Sequence, residues 1–276
     1  MPELPEVEST RRFIEPALTG RRIVAVEVRR ARMVRRHETP DDFADRVTGR
    51  TIRRLRRHGK LLMTDLSGDL VWVTHLGMSG RVSLARRGDE ESPHTNVIVR
   101  VGGGVEMRLV DPRTFGFVLA ATPAELAASP LGSLGPDAYT EPPTVAEWAS
   151  RLAGRTAPTK ALLLDQGIVA GLGNIYADET LHRAGIDPMR PGGSLSREEL
   201  GRLRRAVRTT LELGLRWGGT SLDDLAYLLP DGRAGQFAAR LRVYGKEGEP
   251  CPVCGTPIRR TVVRQRSAHW CQHCQR

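Results

Sequence analysis

Residues 96–110 read Asn-Val-Ile-Val-Arg-Val-Gly-Gly-Gly-Val-Glu-Met-Arg-Leu-Val. Two runs rich in branched side chains flank three glycines, a pattern typical of two strands joined by a turn. Between about residues 22 and 120 the chain contains further short runs of this kind, separated by turn residues such as Ser67-Gly68-Asp69. They are residues 23–28, 61–63 and 70–73. The pattern predicts an N-terminal β-sandwich whose loops can carry function.

Helical patterns lie on both sides of this β region. Before it, Val7, Ile14 and Leu18 share one helical face. After it, residues 129–143 are rich in proline and glycine, which predicts a linker. Ser196 and Glu199 then form a capping-box pattern. Apolar residues follow at spacings of three or four until Gly218-Gly219: Leu200, Leu203, Val207, Leu211 and Leu215. The second half is therefore predicted to be mainly helical.

The charge balance indicates a polyanionic partner. The chain has 276 residues, with 42 Lys+Arg against 32 Asp+Glu, and its sequence pI is about 10.3. The excess is mostly arginine, whose planar guanidinium matches phosphate oxygens. No apolar run approaches the roughly 18 residues of a membrane span, and the acidic opening is unlike a signal peptide. These features predict a cytoplasmic protein that binds nucleic acid and no membrane.

All four cysteines lie near the C-terminus, as Cys251-Pro-Val-Cys254 and Cys271-Gln-His-Cys274. Two C-x2-C pairs separated by a spacer predict a tetrahedral Zn²⁺ site. Four thiolates close the coordination shell, so one structural zinc ion is expected. Two disulfides or four unrelated thiols are the alternatives, and the absence of secretion features disfavours them.

The residues around these cysteines predict a cationic finger. Five arginines and no acidic residue lie between residues 255 and 276, and a zinc-braced hairpin would hold their charges at fixed positions for DNA phosphates. His269 and His273 are alternative zinc ligands. With a full set of cysteines, both are expected to be exposed or to face DNA.

The N-terminus has an ordinary and a chemical interpretation. Proline in a first helical turn is common, and Glu3 and Glu6 there would complement the helix dipole. Removal of Met1, however, would leave Pro2 as a secondary amine. Since an α-amino group has a pKa of about 8, part of it is unprotonated at neutral pH. Its attack on a sugar C1′ would give a cationic iminium that acts as an electron sink.

Six motifs, in order along the chain, resemble those of bacterial formamidopyrimidine-DNA glycosylases. They are Met1-Pro-Glu-Leu-Pro-Glu-Val-Glu8, His75-Leu-Gly-Met-Ser-Gly80, Asp111-Pro-Arg-Thr-Phe-Gly116, Gly171-Leu-Gly-Asn-Ile-Tyr-Ala177, Tyr244-Gly-Lys-Glu-Gly-Glu-Pro-Cys251 and the cysteine tail. The resemblance covers essentially the whole chain. It implies a monomeric glycosylase and abasic-site lyase of base excision repair that acts on damaged double-stranded DNA in the bacterial cytoplasm, at the nucleoid. Its substrates would be 8-oxoguanine and formamidopyrimidines.

The resemblance also implies roles for four catalytic residues. Pro2 would be the nucleophile that forms a Schiff base with the sugar. Glu3 would be the general acid and base for the β- and δ-eliminations, and Glu6 would support this geometry. Lys60 would contact the phosphate beside the lesion. Considered alone, Lys60 ends an arginine-rich run that has the composition of a solvated face.

Further residues are implied to contact DNA. Extracting a base leaves a gap, and unstacking costs a few kcal/mol. The resemblance implies that Met78, Arg113 and Phe115 fill this gap, with Arg113 facing the orphaned cytosine. Without it, core packing is the simpler interpretation of Met78 and Phe115. The remaining implied DNA contacts are His75, Asn174, Tyr244 and Arg266. Asn174 is also expected to cap the helix that follows it.

The implied fold is a multidomain α+β protein. Residues 1–130 would form a catalytic β-sandwich with flanking helices, 131–150 a linker, 151–242 a helix-two-turns-helix domain and 243–276 a zinc-finger β-hairpin. Three places depart from the usual family pattern: Thr114 where a second arginine is common, His94-Thr95-Asn96 in place of His-x-His, and Asp223 where a lysine is frequent.

Two alternatives stay open. An endonuclease VIII-like glycosylase would act on oxidised pyrimidines, although the loop at about residues 221–237 favours the purine-specific family. A catalytically silent zinc-finger protein that binds DNA damage would share the basic charge and the finger. Pro2, Glu3 and Lys60 together favour an enzyme.

Overall fold

The computed structural model describes residues 1–222 and 227–276. These residues form two compact units, Met1–Ser133 with Leu215–Ala238, and Leu134–Gly214 with Ala239–Arg276. Residues 215–238 thus belong to the first unit, although they lie within the segment predicted as the helix-two-turns-helix domain. The four-part division of the chain stays a prediction.

The first unit contains two four-stranded antiparallel sheets, which confirms the predicted β-sandwich. One sheet has the strand order β1-β6-β7-β5 and the other β2-β3-β4-β8. The strands are β1 Ile23–Val28, β2 Ile52–His58, β3 Leu61–Leu66, β4 Leu70–His75, β5 Arg81–Arg86, β6 Thr95–Val101, β7 Val105–Val110 and β8 Phe117–Ala121. The helices are α1 Leu4–Leu18, α2 Pro40–Val47 and α3 Pro123–Ala128. Helix α2 interrupts the region predicted to be mostly β, because Thr39 caps it and Pro40 starts it.

The core of this unit is built from both sheets and the two longer helices. Val7 and Ile14 of α1, Phe43 of α2, and the strand residues Trp72 and Val99 belong to one buried cluster. The predicted apolar face of α1 is therefore correct. Because the sheets are closely packed, the ends of β4 and β8 hold the loops that follow or precede them in fixed positions.

The second unit is helical with one hairpin. Its elements are α4 Val145–Leu152, α5 Thr159–Leu164, α6 Asn174–Ala184, α7 Arg197–Arg216, β9 Arg259–Val263 and β10 Arg266–Trp270. The predicted capping box at the start of α7 is confirmed, since Ser196 and Glu199 exchange backbone-to-side-chain hydrogen bonds of 2.7 and 3.3 Å. Helices α5 and α6 enclose the turns that give the helix-two-turns-helix arrangement.

The predicted linker is not entirely loop. Helix α4 begins within residues 131–150, where Thr144 and Glu147 form a capping box. The sequence-based prediction missed this capping box because it directly follows a stretch rich in proline and glycine, which indicated a loop. Over the described residues, we find no helix whose length and apolar character would let it cross a membrane.

Candidate functional site

The N-terminus of α1 is buried and is held by hydrogen bonds to a carboxylate. Pro2 is buried and directly precedes Glu3, which is the N-cap of the helix. Glu6 Oε2 accepts a hydrogen bond from the Glu3 backbone N–H (2.8 Å), and Glu6 Oε1 accepts one from the Thr220 N–H (2.7 Å). Glu3 and Glu6 are each 1% exposed. The structure thus brings Pro2, Glu3 and Glu6 together, and Glu6 bonds to a segment 214 positions away in sequence.

That distant segment is shaped to receive Glu6. Gly219 has φ +85°, and a Cβ there would lie 2.8 Å from Glu6 Oε1. The Tyr227 hydroxyl lies 3.2 Å from the Glu6 backbone oxygen, and burial raises the pKa of this tyrosine. The sequence predicted Gly219 only as part of the end of the preceding helix, and it predicted no contact of Gly219 or Tyr227 with Glu6. Asp223, one of the departures from the family pattern, lies outside the described residues.

Lys60 lies at a tight hairpin between β2 and β3. His58 pairs with Leu61, so Gly59 and Lys60 form a two-residue turn, with Gly59 at φ +57°. Arg57 Nη1 donates to Gly59 O (2.9 Å), and Arg57 Nε donates to Glu8 of α1 (3.3 Å). Its side chain is 1% exposed, so this arginine does not belong to a solvated face, whereas Arg53 and Arg54 are exposed. Arg57 therefore links the turn of Lys60 to the helix of Glu3 and Glu6.

Two loops of the first unit lie against each other, and we call residues 76–80 and 111–116 the wedge loops. A Cβ on Gly77 would lie 2.4 Å from the Gly116 backbone nitrogen, so the two backbones are in direct contact. The fully buried Asp111 carboxylate holds them together. It accepts hydrogen bonds from Ser79 Oγ (2.6 Å), Arg113 N–H (3.2 Å) and Gly116 N–H (2.8 Å). The sequence motif contained Asp111 and Ser79, but their role became visible only in the fold.

The wedge loops present the three residues expected to fill a gap in DNA. Met78 is half-buried and Arg113 is exposed. Phe115 is 40% exposed, and the guanidinium carbon of Arg113 lies 4.9 Å from the centre of its ring. The core-packing interpretation of Phe115 is therefore wrong. Thr114 between them has φ +52°, an uncommon backbone conformation for a β-branched residue.

His75 lies at the end of β4, beside the wedge loops. Its Nδ1 accepts a hydrogen bond from the Gly77 N–H (3.1 Å), and its ring stacks on Phe117 at 5.3 Å. Burial, together with the positive charges of Lys60, Arg36 and Arg35, lowers the pKa of His75 to about 4. His75 is therefore neutral near pH 7, and its Nδ1 supports the turn that carries Met78.

The second unit contains the remaining predicted DNA contacts. Gly173 is the N-cap of α6, and Asn174 is the first helical residue. The expectation that Asn174 caps the helix is therefore wrong, because its Nδ2 donates instead to Ser267 Oγ on β10 (3.2 Å). Arg266 begins β10 and is exposed. Arg264 and Gln265 form the preceding turn with φ +43° and +62°, a conformation usually taken by Asn-Gly or Gly.

A buried ion pair anchors this hairpin to α6. Lys160 Nζ donates to Asp178 Oδ1 (2.5 Å), with both side chains fully buried, and Lys160 also donates to the Ser267 backbone oxygen. Asp178 Oδ2 accepts from the His269 N–H (2.9 Å). His269 is buried and packs edge-on against Tyr244 at 5.2 Å. His269 was expected to be exposed or to face DNA; it is not exposed, and a contact with DNA stays a prediction, whereas His273 is exposed as expected.

The four cysteines form one site suited to a single structural zinc ion, as predicted. Their Sγ atoms lie within 4.8 Å of one another. Cys251 and Cys274 Sγ are 3.9 Å apart, and Cys254 and Cys271 Sγ 3.4 Å apart. Four sulfurs bound tetrahedrally at about 2.3 Å from zinc would be about 3.8 Å apart. These distances fit zinc coordination and exclude disulfides, whose S–S bond is about 2.05 Å.

Two side chains lie beside the cysteine cluster, His182 of α6 and Gln275, which follows Cys274. His182 Nε2 lies 3.4 Å from Cys251 Sγ. Gln275 Oε1 accepts from the Cys271 N–H, and its Nε2 donates to Ile186 O, both at 2.9 Å. Such groups orient the metal ligands. His182 had no role in the sequence-based interpretation, since its contact with Cys251 joins residues 69 positions apart.

Three family models match the chain. They are the formamidopyrimidine-DNA glycosylase N-terminal domain over residues 1–118, its H2TH domain over 134–225, and the zinc finger found in FPG and IleRS over 248–276. The matches run in the order that the sequence motifs indicated.

Relatives and solved structures agree with these models. Formamidopyrimidine-DNA glycosylases of Rhizorhabdus wittichii and Geobacillus kaustophilus are 45% and 42% identical, each over 100% of both chains. The crystal structure of MutM (Fpg) from Thermus thermophilus is 40% identical, with TM-score 0.89, and covers 99% of this chain and 98% of its own. A Lactococcus lactis Fpg mutant in complex with Fapy-dG-containing DNA is 31% identical over 100% of both chains, with TM-score 0.91. The chain belongs to the formamidopyrimidine-DNA glycosylase family.

Proposed function

We propose that this protein is a bifunctional DNA glycosylase and abasic-site lyase of base excision repair. It removes oxidised purines, formamidopyrimidines and 8-oxoguanine, from damaged double-stranded DNA. The observation that carries the proposal is the buried N-terminus of α1, where Pro2 and Glu3 adjoin Glu6, whose carboxylate bonds to the Glu3 and Thr220 backbone N–H groups. Solved relatives from Lactococcus lactis support it, because they contain Fapy-dG or abasic-site DNA.

The reaction uses Pro2 once Met1 has been removed. The lone pair of its amine forms a bond to the sugar C1′. The bond from C1′ to the damaged base breaks, and its electron pair leaves with the base, which then takes up a proton. Glu3 protonates the sugar ring oxygen as the C1′–O4′ bond breaks and the amine loses its proton. The product is an iminium joining Pro2 to C1′.

The iminium then drives strand cleavage. It withdraws electrons from C2′, so that loss of a C2′ proton to a base expels the 3′ phosphate, and a second elimination expels the 5′ phosphate. We assign that base to Glu3, the N-cap of α1, because it directly follows Pro2 in the chain. Glu6 is a positioning residue, because it holds the backbone of Glu3. Hydrolysis of the iminium returns the free amine.

Residues near this site bind and orient the DNA. Lys60, at the tip of its hairpin, contacts the phosphate beside the lesion, and His75 contributes a neutral imidazole next to it. Met78, Arg113 and Phe115 fill the gap that the extracted nucleotide leaves, and an apolar or aromatic wedge of this kind offsets part of the unstacking cost. The exposure of Phe115 and its contact with Arg113 support this role.

The second unit supplies phosphate contacts from Asn174, Tyr244 and Arg266. The exposed arginines of the zinc-braced hairpin extend this cationic surface. We propose the division into residues 1–130, 131–150, 151–242 and 243–276 as functional segments. The protein acts as a monomer in the cytoplasm, bound to the nucleoid.

Borohydride trapping on a duplex containing 8-oxoguanine opposite cytosine tests the proposal. Wild-type protein should give a covalent protein–DNA adduct, Pro2→Gly should give far less, and Glu3→Gln should lose base release. Glu15→Gln is the matched control, because Glu15 lies on the same helix and pairs with Arg11; it should behave as wild type. Undiminished trapping by Pro2→Gly, or no adduct with wild type, would refute the mechanism. The second result would favour a non-catalytic damage-binding protein.

A second candidate is an endonuclease VIII-like glycosylase for oxidised pyrimidines. The observation in its favour is that a related Lactococcus lactis Fpg was solved with DNA containing an oxidised pyrimidine. Release of base from duplexes containing thymine glycol, compared with 8-oxoguanine opposite cytosine, separates the two. Faster release of thymine glycol would favour this alternative.

A further inference from the structure

The second unit contains an arginine-lined cavity that the proposed reaction does not use. It has a volume of about 360 Å³ and is bordered by Arg183, Arg202, Arg205, Ala206, Thr209 and Arg242. We call it the arginine pocket. None of its lining residues belongs to the catalytic, zinc or DNA-contacting sets described above. Its size is at the lower end of the range for ligand sites, roughly 300–1,000 Å³.

Arg183 forms the buried part of the arginine pocket. Its side chain is only 10% exposed, and its nearest carboxylate oxygen, Glu179 Oε2, is 3.9 Å from Nη2. Within residues 1–222 and 227–276, its buried Nε has no hydrogen-bond partner. A buried guanidinium without a full set of hydrogen-bond partners is costly, so negative charge bound in the adjoining pocket would stabilise Arg183.

The other arginines increase the positive charge around this atom. Arg242 acts on Arg183 strongly enough that its charge, after burial, lowers the pKa of Arg183. Arg202 is held in place by Glu198 (3.2 Å) and by the Ala184 backbone oxygen (3.1 Å). Arg205 and Arg242 have no carboxylate partner in the part of the chain that the structure describes. Four arginines therefore line a single cavity; Arg183 and Arg202 are partly paired with carboxylates, and Arg205 and Arg242 are not among the ion pairs of the described residues.

The acidic residues beside the pocket, Glu179, Glu198 and Glu199, balance only part of this charge. Glu179 Oε1 accepts hydrogen bonds from the backbone N–H groups of residues 242, 243 and 244, at 2.8 to 3.1 Å. Burial raises the pKa of Glu179. Oε1 of this carboxylate thus holds the segment that carries Arg242 in position, while Oε2 lies 3.9 Å from Arg183 Nη2. Thr209 adds a hydroxyl that can donate to an oxyanion.

We propose that the arginine pocket is an anion site that binds phosphate groups, from either a free oligophosphate or a nucleic-acid backbone. Guanidinium groups bind phosphate oxygens in a bidentate manner, and a cavity of this volume accepts more than one phosphate group. The site lies outside the catalytic machinery and the proposal does not depend on that machinery.

Isothermal titration with inorganic tripolyphosphate tests the site directly. Wild-type protein should show saturable binding, and Arg205→Gln and Arg242→Gln should each weaken it about tenfold, because each removes one charge-assisted contact. Both side chains are at least partly exposed, so these variants should fold. Arg208→Gln is the matched control, because Arg208 is exposed on the same helix, pairs with Glu212 and does not border the pocket.

These titrations distinguish a specific anion site from nonspecific electrostatic attraction of phosphate to the basic surface. Absence of saturable binding, or equal weakening by Arg208→Gln, would overturn the proposal. A titration repeated with an undamaged duplex identifies the source of the phosphate. If the duplex displaces tripolyphosphate and the same two variants weaken duplex binding, the phosphates come from DNA; if both ligands bind together, the site takes a free oligophosphate. Either result requires the pocket arginines and supports the anion site.

Discussion

The wedge loops of the first unit and the hairpin of the second present similar side chains on differently supported backbones. In each region an exposed arginine lies at or beside a turn in which residues other than glycine have a positive φ. Thr114 has it in the wedge loops, and Arg264 and Gln265 have it in the hairpin. In the wedge loops a buried carboxylate, Asp111, accepts three hydrogen bonds. In the hairpin, a cysteine cluster and a buried Lys160–Asp178 ion pair hold the strands.

The difference reflects how much core each region has. The wedge loops follow strands of a sandwich with a large apolar core, so a single polar anchor fixes them. The cluster beside the cysteines contains Val243, Cys251, Ile258 and Cys271, with Cys274 packed against it. A second cluster joins Val263 and Ala268 of the hairpin to Ala161. Because clusters this small stabilise little, we expect a bound metal to be needed to order the hairpin. The two regions should therefore respond differently to metal removal and to loss of a carboxylate.

Zinc removal should have the largest effect, and only on the hairpin. Chelation or Cys254→Ser should weaken binding of an undamaged duplex roughly 100-fold, because the hairpin arginines lose their fixed positions. Fluorescence anisotropy with labelled duplex measures this, and hydrogen exchange should show that the strands of the first unit stay protected. Unchanged affinity after confirmed zinc loss would contradict the role of the hairpin.

Loss of the Asp111 carboxylate should destabilise the first unit. Asp111→Ala leaves two buried donors and one partly buried donor without an acceptor, so the free energy of unfolding should fall by about 2–4 kcal/mol. Urea unfolding measures the loss. Ser79→Ala removes only one donor and should cost less. Equal losses in the two variants would show that the carboxylate does not act as the common anchor.

Loss of the His182 side chain should weaken zinc binding and leave the structure of the wedge loops unchanged. His182 Nε2 lies 3.4 Å from Cys251 Sγ, and outer groups of this kind typically change metal affinity about 10- to 100-fold. His182→Phe should therefore release zinc to a chelating dye about tenfold faster than wild type. His273→Phe is the control, because His273 lies between Cys271 and Cys274 in sequence and is exposed. Identical rates of zinc release from His182→Phe and wild type would show that His182 does not support zinc binding.

A further effect, which should be absent at neutral pH and develop only on acidification, originates in the first unit. The pKa of His75 is about 4 in the folded protein, against 6.5 when unperturbed. The unfolded state therefore binds the proton more readily, and the stability contributed by neutral His75 is complete above pH 6.5 and is lost as pH falls from 6.5 to about 4. His75→Asn should make urea unfolding less sensitive to pH across this window. An unchanged pH profile would contradict this assignment.

Much of the fold could be predicted because its signals are local. The branched runs at residues 96–110, the capping box at Ser196 and Glu199, and the spacing of the cysteines each lie within one element or one short segment. The wrong predictions came where local signals competed. Asn174 has a good capping side chain, but Gly173 takes the extended cap conformation and the Asn174 amide bonds to Ser267.

The contacts that build the site could not be predicted, because they join distant residues. Glu6 bonds to Thr220 across 214 positions, and Lys160 bonds to Ser267 across 107. Nothing in the local composition marks Asp111 as the anchor of the wedge loops or places Arg183 and Arg242 around one cavity. Such groups become recognisable when burial leaves a polar atom that must have a partner.

The most direct test of the catalytic proposal is to map the covalent attachment point. After borohydride reduction of a reaction with 8-oxoguanine opposite cytosine, the adduct is digested and the modified peptide is sequenced by mass spectrometry. The account predicts that the sugar remnant is attached to the nitrogen of Pro2, in a peptide from which Met1 is missing. Attachment to a lysine such as Lys60, or an adduct on protein that retains Met1, would contradict it.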